Sequence, residues 1–427
     1  MINIQDKKDC CGCAACVQRC PKQCISLQED SEGFLYPMVD ASLCIDCGLC
    51  EKVCPIIHQA DQRTPLGVYA AKNPDEAVRM QSSSGGVFTM LAERVLAEGG
   101  VVFGARWDER WEVVHDYVET AEGLAQFRGS KYVQSKIGRT FQQTESFLKQ
   151  GRQVLFSGTP CQIAGLKNYL RKEYDNLLAV DFICHGVPSP GVFRTYLQEE
   201  INETFARKGD GKNSVLHPCI PLITESDGLE CPDMEIQSIA FRDKRNGWKK
   251  YGFALVLSKA SAAGEKNTVL LSYKSLHEHP FMRGFLRDLY LRPSCHACPA
   301  KTLKSGSDVT LGDWWGIESI MPEIDDDKGI SAVTANTEKG AAALQAIRAE
   351  LHSVAYAELT KFNPALVKSA AVPTNRAAFF EADGRTFQQK IKVLAKTPFS
   401  WRSLVSRAAH KVLPAGIKKQ LKHLLKK

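Results

Sequence analysis

Beyond a polar stretch around residues 59–65, short apolar runs of β type alternate with amphipathic stretches of helical period, which predicts an α/β body. The runs at 68–71, 101–105, 113–118, 154–157 and 178–183 read as strands, and those at 86–97, 162–170 and 192–201 as helices. From 209 to 232 the periodicity disappears and Gly, Pro, Ser and Asp collect, the composition of an insertion loop, with Cys219 and Cys231 given no role. The runs at 236–241, 253–257 and 269–273 then predict antiparallel strands, followed by a helix over 281–290. Near the end, Leu413, Ile417, Leu421 and Leu425 recur every four residues beside Lys418, Lys419, Lys422, Lys426 and Lys427, the pattern of a basic amphipathic helix. The organisation expected is a small head over 1–60, an α/β part over 67–190, a second part of the same body over 191–360, and a basic tail over 384–427.

Composition narrows the class. With 427 residues, 44% hydrophobic, the chain buries a sizeable core and is not disordered; two or three domains are expected. The formal charge of +7 is a property of the tail: residues 384–427 hold twelve Lys or Arg and no acid, so the rest is net −5. Such a tail suits an anionic membrane surface, or else docks on its own domain or frays. It lacks the interleaved aromatics of a nucleic-acid stacking surface, so no nucleic-acid partner is expected. No apolar run approaches the roughly 18 residues of a membrane span, and the first ten residues carry no apolar export signal. The expected location is cytoplasmic, with membrane association through the tail as one of two alternatives for that segment.

Sixteen cysteines in a reducing compartment point to metal binding rather than to disulfides. Cys10, Cys13, Cys16 and Cys20 follow the spacing C-x2-C-x2-C-x3-C-Pro, and Cys44, Cys47, Cys50 and Cys54 repeat it, each run ending at a proline (Pro21, Pro55). A 4Fe-4S cube needs four thiolates converging on a small volume; three come from one tight loop, and the fourth cysteine of each run serves the other cluster. Two clusters are therefore expected, one on Cys10, Cys13, Cys16 and Cys54, the other on Cys44, Cys47, Cys50 and Cys20. Paired C-x2-C units also build zinc sites, but two complete runs with terminal prolines favour clusters. Cys11 and Cys24 fall outside the spacing and read as small buried or loop thiols. Over 1–60 the chain resembles bacterial two-cluster ferredoxins.

Several motifs fall at the ends of body elements. Gln81-Ser82-Ser83-Ser84-Gly85-Gly86 precedes an apolar helix, where hydroxyls and free N–H groups suit either a phosphate or an ordinary helix cap. Ser157-Gly158-Thr159-Pro160-Cys161-Gln162 and Asp181-Phe182-Ile183-Cys184-His185-Gly186 follow successive strands, at the carboxyl ends where open α/β sheets bind ligands. With Arg292-Pro293-Ser294-Cys295-His296-Ala297-Cys298-Pro299, they supply four further cysteines: a third cluster, a structural zinc, or buried small residues.

These motifs, followed by Gly312-Asp313-Trp314-Trp315-Gly316, are similar in kind and order to the family of beta subunits of coenzyme F420-reducing hydrogenases and dehydrogenases. The resemblance spans roughly 67–336 and implies FAD beside a 4Fe-4S cluster, with electrons moving between ferredoxin-type clusters and the flavin. It places the third cluster on Cys161, Cys184, Cys295 and Cys298. It makes Ser82, Ser83, Ser84, Gly85, Gly86, Lys131 of Gly129-Ser130-Lys131-Tyr132, and Gly158 and Thr159 candidates for holding the FAD. No G-x-G-x-x-G follows a strand, so flavin binding rests on the resemblance. His185 is a candidate proton donor, or a hydrogen-bond partner of a cluster sulfur, and Asp313 a candidate for orienting cofactor or substrate. The expected partners are a redox protein, such as a ferredoxin or another oxidoreductase subunit, and a small organic acceptor, deazaflavin-like or otherwise. The rival expectation is a non-catalytic relay subunit.

Overall fold

The computed structural model describes residues 1–208, 234–259 and 268–396; the expected insertion and the leucine–lysine repeat of the tail lie outside the described residues. The head consists of two short helices, Ala15–Arg19 and Leu49–Lys52, and a hairpin of β1 (Ile25–Glu29) and β2 (Leu35–Val39), with Ile25 paired to Val39.

The body is built on one mixed sheet. Its strands are β3 (Gly67–Lys72), β4 (Val101–Trp107), β5 (Val113–Val118), β6 (Val154–Gly158), β7 (Leu177–Phe182), β11 (Val309–Asp313), β12 (Ser331–Ala335) and β13 (Glu350–Ser353), in the order β13-β3-β12-β11-β7-β6-β4-β5. The four central strands β4, β6, β7 and β11 run parallel, and the flanking pairs are antiparallel. The centre is parallel because β4, β6 and β7 are almost wholly apolar and covered on both faces, one by the helix Val87–Ala97, the other by Thr140–Lys149 and Pro160–Leu170. A second, antiparallel sheet of β8 (Met234–Asp243), β9 (Gly252–Lys259) and β10 (Thr268–Ser275), ordered β10-β9-β8, packs its Phe241, Phe253 and Leu255 against Phe193, Tyr196 and Phe281. The chain is thus a mixed α/β body with a small ferredoxin-like head.

Two expected helices have other limits. The one expected over 192–201 runs Pro190–Lys208, while the one over 281–290 stops at Phe285, because Asp288 adopts a left-handed φ of 58° and turns the chain. Among the described residues no helix is long and apolar enough to cross a membrane.

Head and body share one core. Cys11, Cys13, Ala14, Ala15 and Val53 of the head are buried in the same cluster as Phe103, Phe141, Phe156, Ile163 and Leu166 of the body. Two details show how close the approach is. A β-carbon on Gly165, in the helix Pro160–Leu170, would lie 2.9 Å from both Cβ and Sγ of Cys13. Gln18 of the head reaches the start of the helix Thr140–Lys149, where Arg139 supplies no side-chain cap, and its Oε1 accepts the N–H groups of Phe141 and Gln142 at 3.0 and 3.3 Å.

Candidate functional site

The motif cysteines stand around three cavities. Cys20, Cys44, Cys47 and Cys50, with Cys24, line an outer head cavity, where Cys47 is exposed. Cys10, Cys13, Cys16 and Cys54, with Cys11, line an inner head cavity. Cys161, Cys184, Cys295 and Cys298, again with Cys11, line a body cavity. In the head, the last cysteine of each run faces the other run's set, the crossed arrangement that the spacing predicts. All fourteen cysteines among the described residues are free thiols, and no three His, Cys, Asp or Glu side chains there converge on a point that one ion would fill. The sets surround volumes instead.

The body set is assembled by the parallel sheet. β6 ends at Gly158, Thr159 caps the next helix in a capping box with Gln162, and Cys161 sits in that helix's first turn with its Sγ 3.2 Å from Thr159 Oγ1. β7 ends at Phe182, which brings Cys184 alongside. The 3-10 turn Pro293–Ala297 presents Cys295, whose Sγ accepts from Val187 N–H at 3.4 Å, and Cys298 follows it. Lys301 Nζ donates to the carbonyls of Cys184 and Ala365, each at 2.6 Å. Burial pushes the Cys295 thiol up to about 12, and the Cys184 thiol is raised well above its ordinary range for the same reason. Left to themselves these thiols are neutral, and ligation would release their protons. Asp181 also lines this cavity, 1% exposed, its carboxyl lifted by burial to about 6.

Cys11 joins the inner and body cavities: it lines both, and its thiol interacts with those of Cys13 and Cys161. It is a buried free thiol, in keeping with its position outside the spacing. His185 lines the body cavity, with Nε2 2.5 Å from Asp288 Oδ1 and its ring edge-on to Phe285 at 5.7 Å.

A second group of candidates gathers around the serine turn. Ser130 Oγ lies 2.7 Å from Ser83 Oγ, which brings the two segments expected to hold the FAD into contact. Lys131 Nζ donates to the carbonyls of Arg128 and Gly129, and desolvation lowers its ammonium to about 7. The other hydroxyls of the turn are engaged with the protein itself: Ser82 donates to Val78 O, Ser84 to Ile330 O, and Gly85 N–H donates to Ser331 Oγ. Gly86 is the N-cap of the helix Val87–Ala97. Gly158 and Thr159 lie apart from this turn, at the cap beside Cys161.

Trp248 Nε1 donates to Ser83 O and stacks on Trp315 at 4.7 Å. Over these two rings and Tyr251 lies the guanidinium of Arg242, ion-paired with Asp313, with Nε and Nη2 buried and unpartnered among the described residues. Asp313 therefore belongs to this group and not to the body cavity. Tyr132 connects the two regions, its ring 5.0 Å from that of Phe285, which in turn meets His185. Sequence reasoning missed Arg242, Trp248, Asp181 and Lys301. Of these only Asp181 had a local signal, a carboxylate at a strand's carboxyl end.

Comparison with known proteins agrees with this anatomy. The model of the 4Fe-4S dicluster domain matches residues 9–56. For the beta subunit of coenzyme F420 hydrogenase/dehydrogenase, the N-terminal model matches 68–141, and the C-terminal model matches 151–206 and 227–358. The chain is 27% identical over 165 residues to a subunit of the F(420)H(2) dehydrogenase of Methanosarcina mazei, covering 36% of this chain and 46% of that one. It is 28% identical over 174 residues to coenzyme F420-dependent sulfite reductase of Methanocaldococcus jannaschii, covering 38% and 26%. The chain thus spans about half or less of the length of these two relatives. Its head is 46% identical over 65 residues to Ferredoxin 7Fe of Hydrogenibacillus schlegelii, 77% of that protein. Among solved structures, a chain of the F420-reducing [NiFe] hydrogenase complex from Methanosarcina barkeri aligns with a TM-score of 0.41 and 14% identity, over 71% of this chain and 90% of that one. With both halves of one family matched in order behind a dicluster head, this chain belongs to the family of coenzyme F420 hydrogenase/dehydrogenase beta subunits and carries an N-terminal 4Fe-4S dicluster domain.

Proposed function

We propose that the chain is an iron–sulfur flavoprotein that takes electrons from an external redox protein and delivers them to a small organic acceptor in its body. The observation that carries this reading is the serial order of the thiol cavities: an outer one with exposed Cys47, an inner one, and a body one that shares Cys11 with it. All-cysteine donor sets suit iron–sulfur clusters. The ligands are Cys20, Cys44, Cys47 and Cys50; Cys10, Cys13, Cys16 and Cys54; and Cys161, Cys184, Cys295 and Cys298. Three 4Fe-4S clusters, when bound, supply one-electron storage at successive points, and FAD, when bound, supplies the exchange between single electrons and a hydride.

The protein's own contributions are binding and order. Ser83, Ser130 and Lys131 offer hydroxyls and a cation to a pyrophosphate, and the two unpartnered donors of Arg242, in their aromatic cradle, suit an anionic or π-rich group. His185, oriented by Asp288 at the rim of the body cavity, is placed to exchange a proton with solvent. The names of the relatives favour a deazaflavin as the organic redox partner, whichever way the electrons run, and the dehydrogenase subunit among them favours work within a complex of several chains.

The test is anaerobic purification with iron, sulfide, zinc and flavin counted per chain. About twelve irons and one FAD, the sum for three cubes and a flavin, are expected. About eight irons with zinc or no flavin would overturn the catalytic reading in favour of a relay subunit.

A further inference from the structure

We propose that Arg292 raises the reduction potential of the inner head cluster above that of the outer one, so that electrons arriving at Cys47 are drawn inward. The inference rests on the cluster reading above and adds a direction to it.

Arg292 belongs to the body, three residues before Cys295, yet three of its four side-chain hydrogen bonds reach the head. Nε donates to Cys10 O at 2.7 Å, Nη2 to Leu35 O at 2.9 Å and to Cys10 Sγ at 3.4 Å, and Nη1 to Gln134 Oε1 at 2.9 Å. The guanidinium lies over the rings of Tyr36 at 4.3 Å and Phe34 at 5.3 Å and is 1% exposed. None of these four acceptors is a carboxylate. An arginine is always protonated, so a full positive charge sits in a poorly solvated place, hydrogen-bonded to a thiol of the inner set. Reduction adds a negative charge to a cluster, and a buried cation with an N–H donor on a ligand sulfur favours that state.

The outer set has no equivalent among the described residues. Cys50 Sγ accepts from Ile2 N–H at 3.3 Å and Cys44 Sγ from Asp46 N–H at 3.4 Å, both neutral donors. The cations at that cavity are the exposed Lys22 and the Met1 ammonium, the latter paired with Asp46 and Glu51, so solvent and carboxylates offset their charge.

The experiment is an EPR-monitored redox titration of the full chain, purified anaerobically, as wild type, Arg292→Met, Arg292→Lys and Gln134→Leu. Gln134→Leu loosens the same seam, through the loss of its bonds to Arg292 and to Cys11 O, without removing the charge. In Arg292→Met, one head cluster should become at least tenfold harder to reduce, about 59 mV for one electron, with the other unmoved. Arg292→Lys should recover most of the shift, and Gln134→Leu should show none. Full head iron with unshifted potentials in Arg292→Met and Arg292→Lys, or an equal shift in Gln134→Leu, would overturn the proposal. A wild type without about eight head irons would instead remove the reading beneath it.

Discussion

Replacing Gly165 by alanine sets two known effects against each other. Glycine inside a helix costs about 1 kcal/mol relative to alanine, so on propensity alone the variant gains that much. The new β-carbon, however, would lie 2.9 Å from Cβ and Sγ of Cys13, closer than such atoms pack. Cys13 can retreat only toward the inner cavity, space that a bound cluster would fill, because its other side is buried in the shared core and Gly12 beside it, at a φ of 72°, is walled by Arg292 and Gln134. Overpacking of this kind costs about 1–3 kcal/mol, and rigid neighbours put it in the upper half of that range, for a net destabilisation of about 1–2 kcal/mol. Equilibrium urea unfolding of the anaerobically purified chain, with iron counted before and after exposure to air, reads both consequences. The expected result is a lower midpoint at unchanged slope together with faster loss of head iron. A variant more stable than wild type by the full propensity gain, with iron retention unchanged, would show that the head does not pack as described.

Three further outcomes follow from the same contacts. Gln18→Ala leaves two N–H groups at the start of the helix Thr140–Lys149 without their acceptor and should cost about 1–3 kcal/mol in the same urea assay; a change below about 0.5 kcal/mol, roughly the scatter of neutral surface substitutions, would argue against capping across the seam. His115 is buried against Phe156, with Nε2 3.0 Å from Ser157 O, and burial holds its imidazole down at about 4. The unfolded chain therefore takes up this proton first as pH falls from about 6.5 to 4, and the wild type loses about 3 kcal/mol across that window, its stability being whole above it. His115→Gln should gain on wild type as pH drops from about 7 to about 4.5, and a constant difference between the two would refute the assignment. Arg242→Met strips the partner from the half-buried Asp313 and should cost about 2–4 kcal/mol, while the flavin per chain falls below half; undiminished flavin would separate Arg242 from the cofactor.

How much of this was readable from residues alone depended on what each residue answers to. The head cysteines announce themselves because their spacing is dictated by a cluster, whatever surrounds it. The strands at 101–105, 113–118, 154–157 and 178–183 were legible as short runs rich in Val, Leu and aromatic residues, matched by β4 to β7 within two residues. β11, β12 and β13 were not: Val309–Asp313 contains a glycine and two polar residues, and Ser331–Ala335 is buried throughout yet made of small and hydroxyl side chains with no period to detect. Cys161, Cys184, Cys295 and Cys298 could be grouped from strand ends and a C-x2-C unit, but only resemblance favoured a cluster over zinc or plain burial, since it is the neighbouring β6 and β7 and a distant turn that bring them around one cavity. Arg242 and Arg292 had no local signature, because their meaning lies in partners 71 and 282 residues away.

The seam between head and body also sets how the molecule can be slowed. A carrier domain on a flexible tether must diffuse to its acceptor before each transfer, and its rate then falls with viscosity and responds to salt. Here Gln18 caps a body helix, Cys13 presses on Gly165, and the two parts bury one core, so no such search stands between the inner and body thiol sets. Internal transfer should therefore ignore glycerol and ionic strength. Both would act instead at the exposed rim around Cys47, if the proposed donor docks there as a separate protein.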